Sequence, residues 1–355
     1  MSKNEVEKQL ALEKLQGQVD SLVKEADHGE LFGEDLKNAE KDVQETLLTK
    51  FLQANNHDVA AAKDQLLKTL KWRKKFSPLS AAFKEKHKEV YDELGLVTKH
   101  ESTVMTWNLY GAVEDKESVF GDLDSFLRWR VGLMELGISK LDFSDASKSK
   151  MSQVHDYKGV NFFAMDAKTK TATKNTIQIF QDYYPEMLDK KYFVNVPKIM
   201  GWVFTLVKPL VSKETLEKFN VLSDGSKLAS NVGDWAPKSY GGKAESLSAL
   251  RLTEFTPINA QLVEEDADRR TKDGAEKKLD GSSSDENKKE ESTFEDKKVE
   301  ESSTNKKEEK PSSEKPNINE DNEKQPEKEP EAGEAKEEAK PSTPTEESKD
   351  TPQGK

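Results

Sequence analysis

From residue 103 onward the hydrophobic period of this chain switches repeatedly between two and 3.6, and that alternation restricts the fold more than any other feature. Residues 103–111, Thr-Val-Met-Thr-Trp-Asn-Leu-Tyr-Gly, read as a strand. Residues 118–138 carry apolar side chains at helical spacing. A strand is predicted from Ser152 to Gly159, a helix over 174–184 ended near Pro185, and a strand over 192–196 stopped by Pro197. Residues 219–222 read as a last inner strand. Strand–helix–strand succession favours an α/β layer with a largely parallel sheet over an all-α or all-β fold.

Upstream the pattern is helical. Val6, Leu10, Leu15, Val19 and Leu22 fit one amphipathic helix, and Leu47, Leu48, Phe51 and Leu52 a second. Asn55-Asn56-His57-Asp58 breaks it, with His57 an ordinary surface residue. Asp58 is placed to cap the next helix, whose stripe is Val59, Ala62, Leu66, Leu67 and Leu70 and whose end is Trp72-Arg73.

The charge is unevenly spread. Residues 266–355 hold 28 acidic and 19 basic side chains, so −9 of the net −12 lies there, and only Leu279, Phe294, Val299 and Ile318 are apolar and larger than Ala. Such a segment buries too little apolar surface to offset the entropy of ordering and is expected to be disordered. Three parts follow: a helical module (1–97), an α/β domain (98–265) and a charged tail (266–355). With no cysteine, disulfides, thiolate metal sites and Cys nucleophiles are excluded. No basic stripe interleaved with aromatics points to nucleic acid. No apolar run approaches membrane-spanning length, so membrane contact is expected to be peripheral.

Two features point to a site. On the predicted strand, His155 and Tyr157 face one way and Val154, Asp156 and Lys158 the other. Residues two apart on a strand are separated by roughly 6.5–7 Å, so an imidazole and a phenol can reach one ligand. The alternative is a pair of hydrogen-bonded core side chains. Arg130 stands on an apolar helical stripe with Phe126, Leu127, Leu133 and Met134. A guanidinium there either pairs with an anion or extends its stem to water. Residues 199–211 are apolar nearly all round, as in a helix buried on all sides or one that covers an apolar cavity and leaves it.

The order of motifs is specific. A helical module ending in Trp72-Arg73 precedes strand–helix–strand, Val196-Pro197, an apolar stretch with Lys208-Pro209-Leu210, Thr215, Lys218-Phe219 and Tyr240-Gly241-Gly242. Over roughly residues 30–260 this resembles the CRAL-TRIO lipid-transfer family. Trp107-Asn108-Leu109-Tyr110-Gly111, the 154–160 run Val-His-Asp-Tyr-Lys-Gly-Val, the 192–197 run and the 223–228 run resemble its fungal, haem-binding, atypical phosphatidylinositol-transfer subgroup.

The resemblance implies a lipid-sized cavity floored by the sheet and closed by a movable helix over about 198–212. It implies phosphatidylinositol as ligand, exchange between membranes, support of phosphoinositide homeostasis, a role in oxidant stress response and no enzymatic activity. It also implies haem b, with Tyr157 on the iron, His155 as neighbour or auxiliary ligand, and Tyr110, Arg130 and Lys191 at the other haem-contacting positions. A cytoplasmic protein in peripheral contact with endoplasmic reticulum membranes is expected. One departure is Asn55, where the subgroup carries a further site Tyr. Two readings compete with this one: lipid exchange without haem, and a haem-dependent oxidant scavenger.

Overall fold

The computed structural model describes residues 2–161, 166–197 and 213–280. The expected movable helix over 198–212, the Phe162, Phe163 and Met165 segment, and residues 281–355 of the expected tail lie outside the described residues.

The N-terminal module contains α1 (Lys3–Gln16), α2 (Val19–Ala26), a two-stranded ribbon of β1 (Glu30–Leu31) and β2 (Glu34–Asp35), α3 (Lys41–Ala54), α4 (Val59–Phe76) and α5 (Pro78–Phe83). The single first helix expected from spacing is two, because the chain turns at Gly17. Asp58 caps α4 as its position implied, accepting from the Ala61 N–H at 2.9 Å. Asn55 ends α3 and donates to the Phe51 carbonyl and to Gln65 on α4.

The second part is a five-stranded sheet in the order β3 (Gly95–His100), β4 (Thr103–Leu109), β5 (Met151–Asp156), β6 (Leu188–Val194), β7 (Phe219–Leu222). From β4 to β7 the pairs are parallel, each requiring a crossover. The β4–β5 crossover holds α6 (Lys116–Phe120) and α7 (Leu123–Ile138), and the β5–β6 crossover holds α8 (Ala167–Tyr183). Sequence periodicity missed β3. It forms an antiparallel hairpin with β4, and Gly95 lies so close to α7 that an added Cβ would stand 2.5 Å from Leu133 and 2.8 Å from Trp129.

Every residue of β5 is buried, as expected for a central strand covered on both faces. On one face Met105, Trp107, Val154, Tyr192 and Val194 pack against Leu228 and Tyr240 from the C-terminal segment. The other face lies beneath α7, where Gln153 meets Met134 at 3.5 Å. A buried ion network joins the two parts. Arg73 donates to Glu30 at 2.7 and 2.8 Å and to Glu135 of α7 at 2.7 Å, and the Tyr184 hydroxyl donates to Glu135 at 2.6 Å.

Composition assigned residues from 266 onward to the disordered tail, but a helix, Ala260–Asp280, runs through the first of them, and Asp266 is completely buried. The difference has a physical cause. This helix docks largely through polar groups, which hydropathy counts as solvent-loving.

Candidate functional site

The α7 side of the sheet is apolar at the amino ends of the central strands, with Val104 and Met151, and turns polar and aromatic towards their carboxyl ends. Register places Thr106, Gln153, Lys191 and Phe219 in one row across four strands, and Asn108, His155, Phe193 and Val221 in the next. Carboxyl ends of parallel strands are where α/β folds commonly receive ligands.

Beyond the second row stand Tyr110, in the single turn after β4, and Tyr157, just past β5. The Tyr110 ring lies 5.6 Å from His155 and 5.3 Å from Tyr157, and His155 and Tyr157 lie 5.6 and 6.4 Å from Phe193. The turn carrying Tyr110 is held tightly to β5, since a Cβ on Gly111 would fall 1.9 Å from the Lys158 carbonyl oxygen. The Tyr157 N–H donates to Val194 at 3.0 Å, extending the ladder one residue beyond the strand.

Arg130 enters from α7, 1% exposed, with its guanidinium 4.8 Å above the Phe180 ring of α8. Burial disfavours its charge, and the Tyr110 phenol is the largest influence opposing this. Two of its nitrogens, Nε and Nη1, are buried with no hydrogen-bond partner among the described residues, and so are Thr106 Oγ1 and Asn108 Oδ1. Buried polar groups are nearly always paired, so such a cluster marks a place where a partner belongs. Lys191 brings a second cation, its Nζ 5.5 Å from the Phe193 centroid and 5.8 Å from that of Phe219.

The electrostatics follow from burial. It lowers the Lys191 ammonium to about 7, with Arg130 adding to the effect. Burial, then Lys191 and Arg130, hold His155 well below its ordinary range, so its imidazole is neutral. Burial raises Tyr157, with Tyr110 adding to the effect, and raises Tyr110 against the pull of Arg130. The free site is therefore rich in neutral donors and short of negative charge. Among the described residues no group of three His, Asp or Glu side chains is placed to hold a metal ion. Tyrosine is not one of those residue types.

All five residues singled out in the sequence thus meet on one face: Tyr110, Arg130, His155, Tyr157 and Lys191. Thr106, Asn108 and Gln153 were missed there. Their signal was polar side chains alternating with Met105, Trp107 and Val154 on strands buried on both faces. Asn55 lies instead at the end of α3, bonded to Gln65.

On the opposite face Asp156 fixes the end of β5. Its carboxylate accepts from Tyr240 Oη at 2.6 Å, Asn195 Nδ2 at 2.7 Å and the Lys158 N–H at 2.8 Å, and Asn195 in turn accepts from the Gly225 N–H. At the amino ends of the strands a separate cluster has excess positive charge. Lys150 and Lys218 share Glu186 Oε2 at 2.8 and 2.9 Å, while buried Lys50 donates to the Ser149 and Glu186 carbonyls. Burial, then Lys150, brings Lys50 down to about 7.

Among the described residues no helix is long and apolar enough to cross a membrane. A family profile for the CRAL/TRIO domain matches residues 90–242. The phosphatidylinositol transfer protein SFH5 of Phaeosphaeria nodorum is 43% identical over 250 residues, covering 65% of this chain and 76% of that protein. SFH5 of Kluyveromyces lactis is 41% identical over 260 residues, covering 71% of this chain and 87% of that one. The crystal structure of Sfh5 superposes with a TM-score of 0.70 at 35% identity, covering 78% of this chain and 100% of that one. Fold, motif order and these similarities agree: the chain belongs to the CRAL/TRIO-domain family, in the group of the SFH5 proteins.

Proposed function

We propose that this protein exchanges phosphatidylinositol between membranes and holds haem b on the Tyr110–Arg130–His155–Tyr157–Lys191 face. The observation that carries the proposal is the set of buried, unpartnered polar atoms on Arg130, Thr106 and Asn108 beside a second cation. A face with two cations and, among the described residues, no carboxylate paired to them is suited to an amphiphile that brings its own negative charge.

The residues present fit haem. Tyr157 would hold the iron through its phenol oxygen, with His155 beside it, and Arg130 and Lys191 would pair with the propionates. Bound haem would supply a ferric centre able to stabilise a phenolate. The chain's own groups then act as follows. Burial keeps the Tyr157 proton in place until an iron-bearing ligand enters, Tyr110 holds Arg130 over the ligand, and Phe193 and Phe219 exclude water. For the lipid, the positive excess at Lys50, Lys150 and Lys218 is a counter-charge for a phosphorylated headgroup. The role is transfer in the cytoplasm, with peripheral contact to endoplasmic reticulum membranes, and not catalysis.

The test is the absorption spectrum of protein purified from haem-sufficient cells, with ligand extraction and transfer of labelled phosphatidylinositol between vesicles. A Soret band lost in Tyr157→Phe, with transfer retained, is expected. Extraction of phospholipid alone would favour exchange without haem. Peroxide turnover faster than that of free haem would favour the oxidant-scavenging reading.

A further inference from the structure

The helix Ala260–Asp280 packs against α5 and α4 on an unusual stripe. Within residues 260–272 only Val263 and Asp266 are buried. One Val contributes about 2 kcal/mol of burial, little for holding a helix of this length. Leu262 and Ala267 are partly buried, and several contacts are polar. Lys84 bonds Glu264 at 2.5 Å, Arg269 Nη1 lies 3.1 Å from His28 Nδ1, and Arg270 stands 4.0 Å from Glu85. Asp266 Oδ2 accepts from the Ser80 N–H at 2.9 Å, while Oδ1 has no hydrogen-bond partner among the described residues and lies 3.5 Å from Arg269 Nη1. A fully buried carboxylate held by one hydrogen bond and one long ion pair is a costly way to anchor a helix, and protonation lowers that cost.

We propose that the helix Ala260–Asp280 is a detachable clasp on the N-terminal module, and that a proton on Asp266 sets how firmly it docks. The groups around this carboxyl come from every element against it: the Ser80 N–H of α5, Lys84 and Glu85 just after α5, Glu30 of β1, Arg73 of α4, His28 ahead of β1, and Glu264, Arg269 and Arg270 of the helix itself. Burial, then Glu30, pushes Asp266 up to about 6 from its ordinary 3.8, while the Ser80 bond, Arg269 and Arg73 oppose this. In a detached, solvated helix the carboxyl returns to its ordinary range. The docked form therefore binds the proton more tightly, and docking strengthens as pH falls through about 6. Between about pH 7 and about pH 5 the docking constant rises about tenfold.

The absence of native cysteine makes the test direct in the full chain. Lys75→Cys on α4 and Lys272→Cys on the helix, both exposed, carry a spin-label pair read by pulsed electron paramagnetic resonance. The expected result is one short, narrow distance in acid and a broad component that grows above about pH 6. Asp266→Asn should give the narrow distance at every pH, and His28→Gln should keep the wild-type shift. An unchanging distribution in the wild-type pair would overturn the proposal. So would a pH shift that survives Asp266→Asn, or one that disappears with His28→Gln.

Discussion

Tyr240 donates to Asp156 at 2.6 Å through the face of the sheet opposite to the one bearing His155 and Tyr157. The aspartate therefore sits in the chain between the two candidate ligands and is clamped from behind. Replacing Tyr240 with Phe leaves one carboxylate oxygen of a buried Asp without its donor. The expected cost is about 1.5–3 kcal/mol, the range for hydrogen bonds to charged groups. Urea unfolding at neutral pH checks it. An unchanged midpoint would mean that water replaces the hydroxyl without loss.

Arg73 is the only cation bonded to both Glu30 and Glu135 among the described residues. Arg73→Met leaves two buried carboxylates and is expected to cost about 3–5 kcal/mol. Burial opposes the charge on Glu30, but Arg73 and the other partners bring the carboxyl down to about 2. A depressed carboxyl contributes stability that is present above the unfolded value, near 4.5, and lost as pH falls towards about 2. Denaturation midpoints across this acid range should fall steeply in the wild type. In Arg73→Met burial is no longer offset by the guanidinium, so this part of the decline should shrink or reverse.

Lys191 acts with the opposite sign. The folded chain holds its ammonium down to about 7, against an unfolded value of about 10.4. The charged form is disfavoured in the fold, so stability should rise as pH climbs from about 7 to about 10. Lys191→Met should raise the stability of the ligand-free protein at neutral pH by on the order of 1–3 kcal/mol and reduce that rise. Lys50, shifted in the same direction, keeps some of the slope in the variant. Chemical denaturation at several alkaline pH values decides the matter.

Gly111→Ala places a methyl group 1.9 Å from the Lys158 carbonyl oxygen, a backbone atom with no rotamer to relieve the contact. The turn bearing Tyr110 must move away from β5, at an expected cost of about 1–3 kcal/mol. Tyr110 should then leave its 5.3 Å contact with Tyr157, altering ligand binding more than a core change of equal cost. Comparing it with a volume-conserving core variant of matched stability tests this.

The alternation of periods after residue 103 made the parallel strands and their crossover helices legible, because 3.6 and two are distinct repeats. The β3 strand escaped because it runs through Gly95 and carries no clean alternation; its position is set by contact with Trp129 and Leu133. Helix Ala260–Asp280 escaped for a related reason, since what it buries is partly a carboxylate. Arg130 could be flagged as out of place from its neighbours four residues away. Its electrostatic coupling to Tyr110 and its stacking on Phe180 join residues 20 and 50 positions apart, and no local pattern encodes them.

By itself the sequence determined the layer type, the caps, and the presence of a His–Tyr pair on one side of a strand, since each follows from interactions within a few residues. The tertiary structure alone decided that Thr106, Asn108, Lys191 and Arg130 share a face with that pair. It also decided which polar atoms of Arg130, Thr106 and Asn108 lack a hydrogen-bond partner among the described residues. Desolvation and pairing depend on what lies across space, and strand register and helix packing set that only when the whole chain has folded.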